Sequence, residues 1–208
     1  MSAERAKTPR QRSHGRARIA LKSRGGATVI DDLYQLANAK FRIPKTYGQS
    51  LEAVFINTAG GLTGGDTLGV EINAGRETSV VFSTQACERI YKAIDETPAE
   101  VTNEIYVAAG AHAVWLPQET ILFDAGRLNR KLSVSLAAGA GFTGLEAVML
   151  GRQAMGETVR NGLLRDEWSI ARDGVPIYAD IARLDCDIEA KLNSFAHLGG
   201  HRIFATLV

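Results

Sequence analysis

The chain of 208 residues is 45% hydrophobic and 23% charged, an ordinary globular composition with enough length for one substantial core. It contains no apolar run near the roughly 18–20 residues a membrane helix needs, and no apolar stretch follows the basic N-terminus, so the sequence predicts no membrane association and a cytoplasmic location. Cys87 and Cys186 are far apart and neither has a C-x-x-C companion. This speaks against a zinc knuckle or a disulfide framework and reads as two reduced, half-buried thiols.

The formal charge of +1 hides an asymmetry, because residues 1–24 hold eight Lys or Arg against Glu4 alone. Residues 1–15 read as a basic flexible arm and residues 16–208 as a single β-rich domain. Ala17, Ile19 and Leu21 alternate with basic residues as an edge strand would. No aromatic side chain is interleaved with these charges to stack on bases, so nucleic acid is not an expected partner.

The stretch FINTAGGLTGGD (55–66) has the spacing of a phosphate-binding loop from Gly60 to Gly65. Asp66 then stands where the loop needs its lysine, and an anion there repels a phosphate. Leu68, Val70 and Ile72 alternate with smaller or polar residues, which predicts a strand where a phosphate-binding loop opens a helix. Nucleotide binding is therefore not expected.

Period two dominates the rest of the chain. VEINAGRETSVVF (70–82), IYVAAGAHAVWL (105–116) and VSLAAGAGFTGLE (134–146) each place an Ala-Gly turn between strand-like runs. They predict successive hairpins, with Gly75, Gly110 and Gly139 supplying positive φ. The unequal spacing of these glycines argues against a strict solenoid and for stacked antiparallel sheets. The expected fold is mainly β with a few short helices, the best candidates being Ala86–Ile94 and Ala154–Arg160.

Catalytic patterns are sparse. His197 and His201 have metal-ligand spacing, but Gly199 and Gly200 intervene and the glutamate of H-E-x-x-H is missing. His14 and His112 stand apart from them in sequence, and no serine or cysteine sits in a nucleophile motif. Carboxylates in apolar company are more informative: Asp66, Asp124, Glu146 and Asp180. They fit solvent-facing or Arg-paired strand positions, a buried polar path, or a hydrolase that uses a pair such as Asp124 and Glu146.

NTAGGLTGGDTL, TQACERIYKA, WLPQETILFDAGRL and LEAVMLGRQAMGE, in that order, resemble the UreD (UreH) family of urease accessory proteins over roughly residues 16–208. The resemblance implies a non-enzymatic, β-rich scaffold that binds the urease apoprotein, recruits UreF and the GTPase UreG, and helps deliver nickel to the urease active site. It implies a dimer formed through UreF, no cofactor of the protein's own, and nickel as transient cargo. The family's body is expected to enclose a water-filled passage, and its acidic residues match Asp66, Glu146 and Asp180 by motif position. Carboxylates hold nickel more loosely than imidazole or thiolate does, which suits a conduit. Family sequences run on for several tens of residues beyond HRIFATLV, so the domain reads as short at its C-terminus.

Overall fold

The computed structural model describes residues 11–46, 48 and 50–208, and most of the basic arm lies outside the described residues. Strands β1 (His14–Arg24) and β2 (Ala27–Leu36) form a hairpin around Gly25 and Gly26, both at positive φ. Strands β3 (Ala39–Arg42) and β4 (Leu51–Asn57) pair antiparallel. Two three-strand rungs follow, β5 (Thr67–Ala74), β6 (Ser79–Thr84) and β7 (Glu88–Ile90), then β8 (Ala99–Val107), β9 (His112–Leu116) and β10 (Thr120–Leu122). A third rung has β11 (Arg127–Leu136) and the long β12 (Gly141–Leu150). The chain closes with a hairpin of β13 (Leu163–Arg172) and β14 (Val175–Asp185), a short helix α1 (Ile188–Asn193), and β15 (Ile203–Leu207) against β12.

One sheet has the order β14-β13-β11-β8-β5-β1-β2, and the second runs β3-β4-β6-β9-β12-β10-β7 with β15 beside β12. Neighbours in the rung region are parallel: β1, β5, β8, β11 and β13 in the first sheet, β4, β6, β9 and β12 in the second. The expectation of a mainly β protein holds, but the antiparallel hairpins do not. Each Ala-Gly module turns the chain from the first sheet into the second, so the modules are corners of a solenoid-like stack.

The corners stack on one another. The Ala108 N–H donates to the Ala74 carbonyl and the Ala137 N–H to the Val107 carbonyl, each at 2.9 Å. The unequal glycine spacing that argued against a solenoid is absorbed in connectors between strands, outside the stacked ladders. Gly110 and Gly139 have the expected positive φ of 71° and 72°. Gly75 does not; it is needed because a Cβ there would collide with the Leu21 carbonyl oxygen.

Neither predicted helix forms. Ala86–Ile94 contains β7, whose parallel ladder to β10 outweighs a weak helical preference, and near Ala154–Arg160 there is only a 3₁₀ turn, Gln153–Met155. β1 is not an edge strand, because β2 covers it on one side and β5 on the other. Cys87 is half-buried as expected, whereas Cys186 is exposed. Among the described residues no helix is long and apolar enough to cross a membrane.

Parallel register turns the period-two pattern into columns. Ile19, Ile72, Ile105, Val134 and Ile170 are successive register partners and are all buried. Such β-branched stacks fill the space between the sheets with stiff side chains. Replacing Ile105 by Ala should cost roughly 3 kcal/mol in urea unfolding and Ile105→Val about 1 kcal/mol. Equal effects of the two would show that the column repacks freely.

Candidate functional site: a polar well between the sheets

The adjacent columns break the apolar pattern. Leu68, Val101, Arg130 and Asp166 share one row, and Val70, Asn103, Leu132 and Trp168 the next. Arg130, Asp166 and Asn103 occupy positions where the alternation points inward, and all three are buried. The Arg130 guanidinium grips Asp166 with two hydrogen bonds, Nε to Oδ1 at 2.9 Å and Nη2 to Oδ2, while Nη1 donates to Thr120 Oγ1 at 2.9 Å. From the opposite sheet β12 brings in Glu146, whose Oε2 lies 3.1 Å from Arg130 Nη2. Trp115 Nε1 donates to Glu146 Oε1 at 2.8 Å.

Thr120, Trp115, Arg130 and Glu146 line a narrow well of about 50 Å³ whose other walls are largely apolar, among them Phe55, Leu68, Ile90 and Leu128; Asp166 holds Arg130 from outside that lining. Asn103, Thr120, Arg130 and Glu146 are buried there, whereas Glu88 and Gln118 on its lining keep part of their surface in solvent. Glu88 faces inward because it is the parallel register partner of Thr120. Asn57 holds it, donating from Nδ2 to the two carboxylate oxygens at 3.0 and 3.2 Å.

Burial raises the Glu88 carboxyl to about 7 in spite of the opposing Asn57 hydrogen bond. Burial likewise pushes Glu146 up; Arg130 pulls it back, Asp166 raises it further, and the Trp115 hydrogen bond favours the anion. Burial pulls Arg130 down, but Glu146 and Asp166 more than offset this and the guanidinium is held charged. Glu146 Oε2 and Trp168 Nε1 are both buried without a well-aligned hydrogen bond, and the Trp168 indole adds to the groups that favour the Glu146 anion.

The three acids of the expected passage have different settings. Asp66 is buried in the loop before β5, where its oxygens accept the Ser13 and Thr63 backbone N–H groups, each at 2.8 Å. It lines an open groove with Arg12 and Tyr91, separate from the well. Glu146 lines the well. Asp180 is exposed on the edge strand β14, opposite Trp168. Asp124 accepts the Arg160 and Asn161 N–H groups at 2.8 and 3.1 Å and is absent from the well's lining, so the carboxylate pair of a hydrolase is not assembled around Glu146. His197 and His201 are exposed outside any helix. Among the described residues no three His, Cys, Asp or Glu side chains converge to hold a metal ion.

Arg130, Asp166 and Glu88 were not singled out from the sequence. The first two carry a readable signal, a charge at the inward parity of an otherwise alternating strand; three-residue β7 is too short to show one. The raised Glu88 carboxyl also fixes a sign. Between about pH 4.5 and 7 the folded state keeps a proton that the unfolded state has released, so Glu88 lowers stability progressively as pH rises through that window. Glu88→Gln should match the wild type near pH 5 and exceed it by roughly 2 kcal/mol at pH 8 in urea unfolding. A difference that does not change with pH would place the carboxyl in solvent.

Comparison with known proteins agrees with this architecture of motifs. Residues 13–208 match the family described as UreD urease accessory protein. The urease accessory protein UreD of Rhizobium leguminosarum bv. viciae is 50% identical over all of this chain and 76% of its own length. The UreD proteins of Rhizobium rhizogenes and Rhizobium etli are 49% and 51% identical, over 100% and 95% of this chain and 76% and 72% of their own lengths. A family match across nearly the whole chain, with half of all residues shared, means that the chain belongs to the UreD family of urease accessory proteins.

Proposed function

We propose that this protein is a non-catalytic, cytoplasmic scaffold of urease maturation that binds the urease apoprotein together with UreF and UreG and hands nickel on to urease. The observation that carries the reading is Glu146, a buried carboxylate in the well between the sheets whose Oε2 is paired with an Arg130 guanidinium that is already bidentate to Asp166. A buried carboxylate that has to share its counter-charge is costly, and a passing cation relieves that cost. The lack of a converging three-ligand cluster among the described residues fits transit better than storage, since a cargo ion has to leave again. Exposed Val175, Ile177 and Ile181 on β14 and Ile203 and Leu207 on β15 fit a protein that works by docking, including a dimer organised through UreF.

On this reading Asp66, Glu146 and Asp180 are successive stations for nickel. Combining Asp66→Ala with Glu146→Ala should lower the nickel content of urease matured in the variant's presence, while UreF and UreG still co-purify. Metal analysis of the purified urease decides it: a normal nickel content sinks the conduit. Asp66→Ala alone also removes an acceptor for two backbone N–H groups and should cost roughly 2 kcal/mol of stability. Loss of the complex itself would make these acids structural.

A further inference from the structure

We propose that the outer face of the second sheet, where β12 and β15 lie side by side, docks one amphipathic helix of a partner protein in the maturation assembly, a helix with an apolar stripe and a carboxylate beside it. The surface and the chemistry of its occupant follow from the geometry; the partner's membership of that assembly rests on the scaffold reading. Glu146, Val148 and Leu150 of β12 are buried, so Leu145, Ala147 and Met149 point away from the core. β15 sets Leu207, Ala205 and Ile203 directly opposite them. All six are apolar, with Leu207 72% and Ile203 55% exposed. Ile121 of β10 continues the Met149 row. The outer face of the first sheet is the opposite case, laced with the ion pairs Arg16–Glu71, Lys131–Glu167 and Arg165–Glu167. An apolar strip of this extent on one outer face marks an interaction surface.

Dimensions and backbone chemistry select a helix. Three strands spaced about 4.8 Å apart span about 10 Å, the width of one helix, and Leu145 to Met149 extend about 13 Å, the length of about nine helical residues. A sheet face offers no free N–H or C=O, so an occupant lying on it has to satisfy its own backbone, which a helix does and an extended peptide does not. At one end the strip opens into a pocket of about 390 Å³ lined by Met149, Met155 and Ile203, suited to one large apolar anchor. Arg152 and Arg202 line the same pocket. Arg152 is paired with Glu157, whereas Arg202 Nη1 is buried with no hydrogen-bond partner. Arg89, exposed, is the register partner of Ile121 at the far end of the Met149 row. A carboxylate beside the anchor supplies the partner that Arg202 lacks. A second copy meeting the strip through the same face would bring further guanidiniums instead.

Two labelled peptides test the strip, both held helical by a side-chain lactam staple and both carrying the same Leu/Phe stripe, one flanked by Glu and the other by Lys. Fluorescence anisotropy should show saturable binding of the Glu peptide and binding of the Lys peptide at least about tenfold weaker, the worth of one charged contact. Arg202→Gln should reduce that preference about tenfold. Leu207→Glu, at an exposed position near the end of β15, should abolish binding, and Ile177→Glu on β14 should leave it unchanged, with circular dichroism verifying that each variant is folded. Equal affinity for the two peptides, a preference undiminished in Arg202→Gln, or unimpaired binding by Leu207→Glu overturns the inference. A dimer in light scattering that Leu207→Glu dissolves puts a second copy on the strip and overturns it as well. In the assembly, Leu207→Glu should lose at least one of the three proteins, urease apoprotein, UreF and UreG, that the wild type co-purifies; capture of all three by both chains sinks the docking strip. If the wild type captures none of the three while the peptides bind as expected, the scaffold reading falls and the strip stands as a helix-docking surface.

Discussion

Parallel, in-register stacking is the constraint from which the rest of this structure follows. In such a stack every inward residue lies against its counterpart in the next rung, so a polar group admitted in one rung has to be answered in a neighbouring one. Arg130 in β11 is answered by Asp166 in β13, its direct register partner. The same rule produces the isoleucine column two rows away. The stack thus separates a stiff apolar zone from a polar one within a single interior.

That polar zone is not there for stability. A buried ion pair recovers its desolvation cost only with good geometry, and a cluster of this kind is at best level with well-packed apolar residues. The bidentate grip on Asp166 gives Arg130 such geometry. Glu146 has a poorer share, the Trp115 indole hydrogen bond, a weaker Trp168 interaction, and a guanidinium already committed elsewhere. Removing Arg130 alone would leave two buried carboxylates facing each other, at a cost of roughly 3–5 kcal/mol. Arg130 and Asp166 are therefore the frame, and Glu146 is the member of the cluster left with spare capacity.

How far the sequence revealed this differs element by element. Alternation identified the strands around Val70, Ile105 and Val134, because half-buried strands write period two into any sheet. It could not distinguish a hairpin from a corner, since Ala-Gly flanked by alternating residues satisfies both and only the partner of each backbone N–H decides. The Ala108 N–H chose Ala74, in the rung below. The helix expected over Ala86–Ile94 failed because a three-residue ladder to β10 is a long-range contact without a local signature. Glu146 was visible as an acid in an apolar run, and Arg130 and Asp166 would have been visible by the same parity test. Glu88 was not, since its inward orientation is inherited from Thr120.

Asp66 and Glu146 share a side-chain chemistry and a motif-based expectation, yet their surroundings assign them different work. The Asp66 carboxylate has a backbone N–H on each oxygen, one from Ser13 before β1 and one from Thr63 in its own loop, so its charge ties the start of the first strand to the glycine turn. That accounts for an acid in a glycine-rich loop on structural grounds: the Thr63 N–H is turned toward the carboxylate, while those of Gly60, Leu62, Gly65 and Asp66 are spent on backbone carbonyls, so no cradle of free donors faces a phosphate. Any cation reaching Asp66 must share those oxygens with the backbone. Glu146 has no backbone donor among its hydrogen bonds, and its second oxygen is held by the Arg130 guanidinium. Of the two, Asp66 is tied to the backbone of a loop, whereas Glu146 is held by side chains alone, so a change at Glu146 leaves the glycine turn intact.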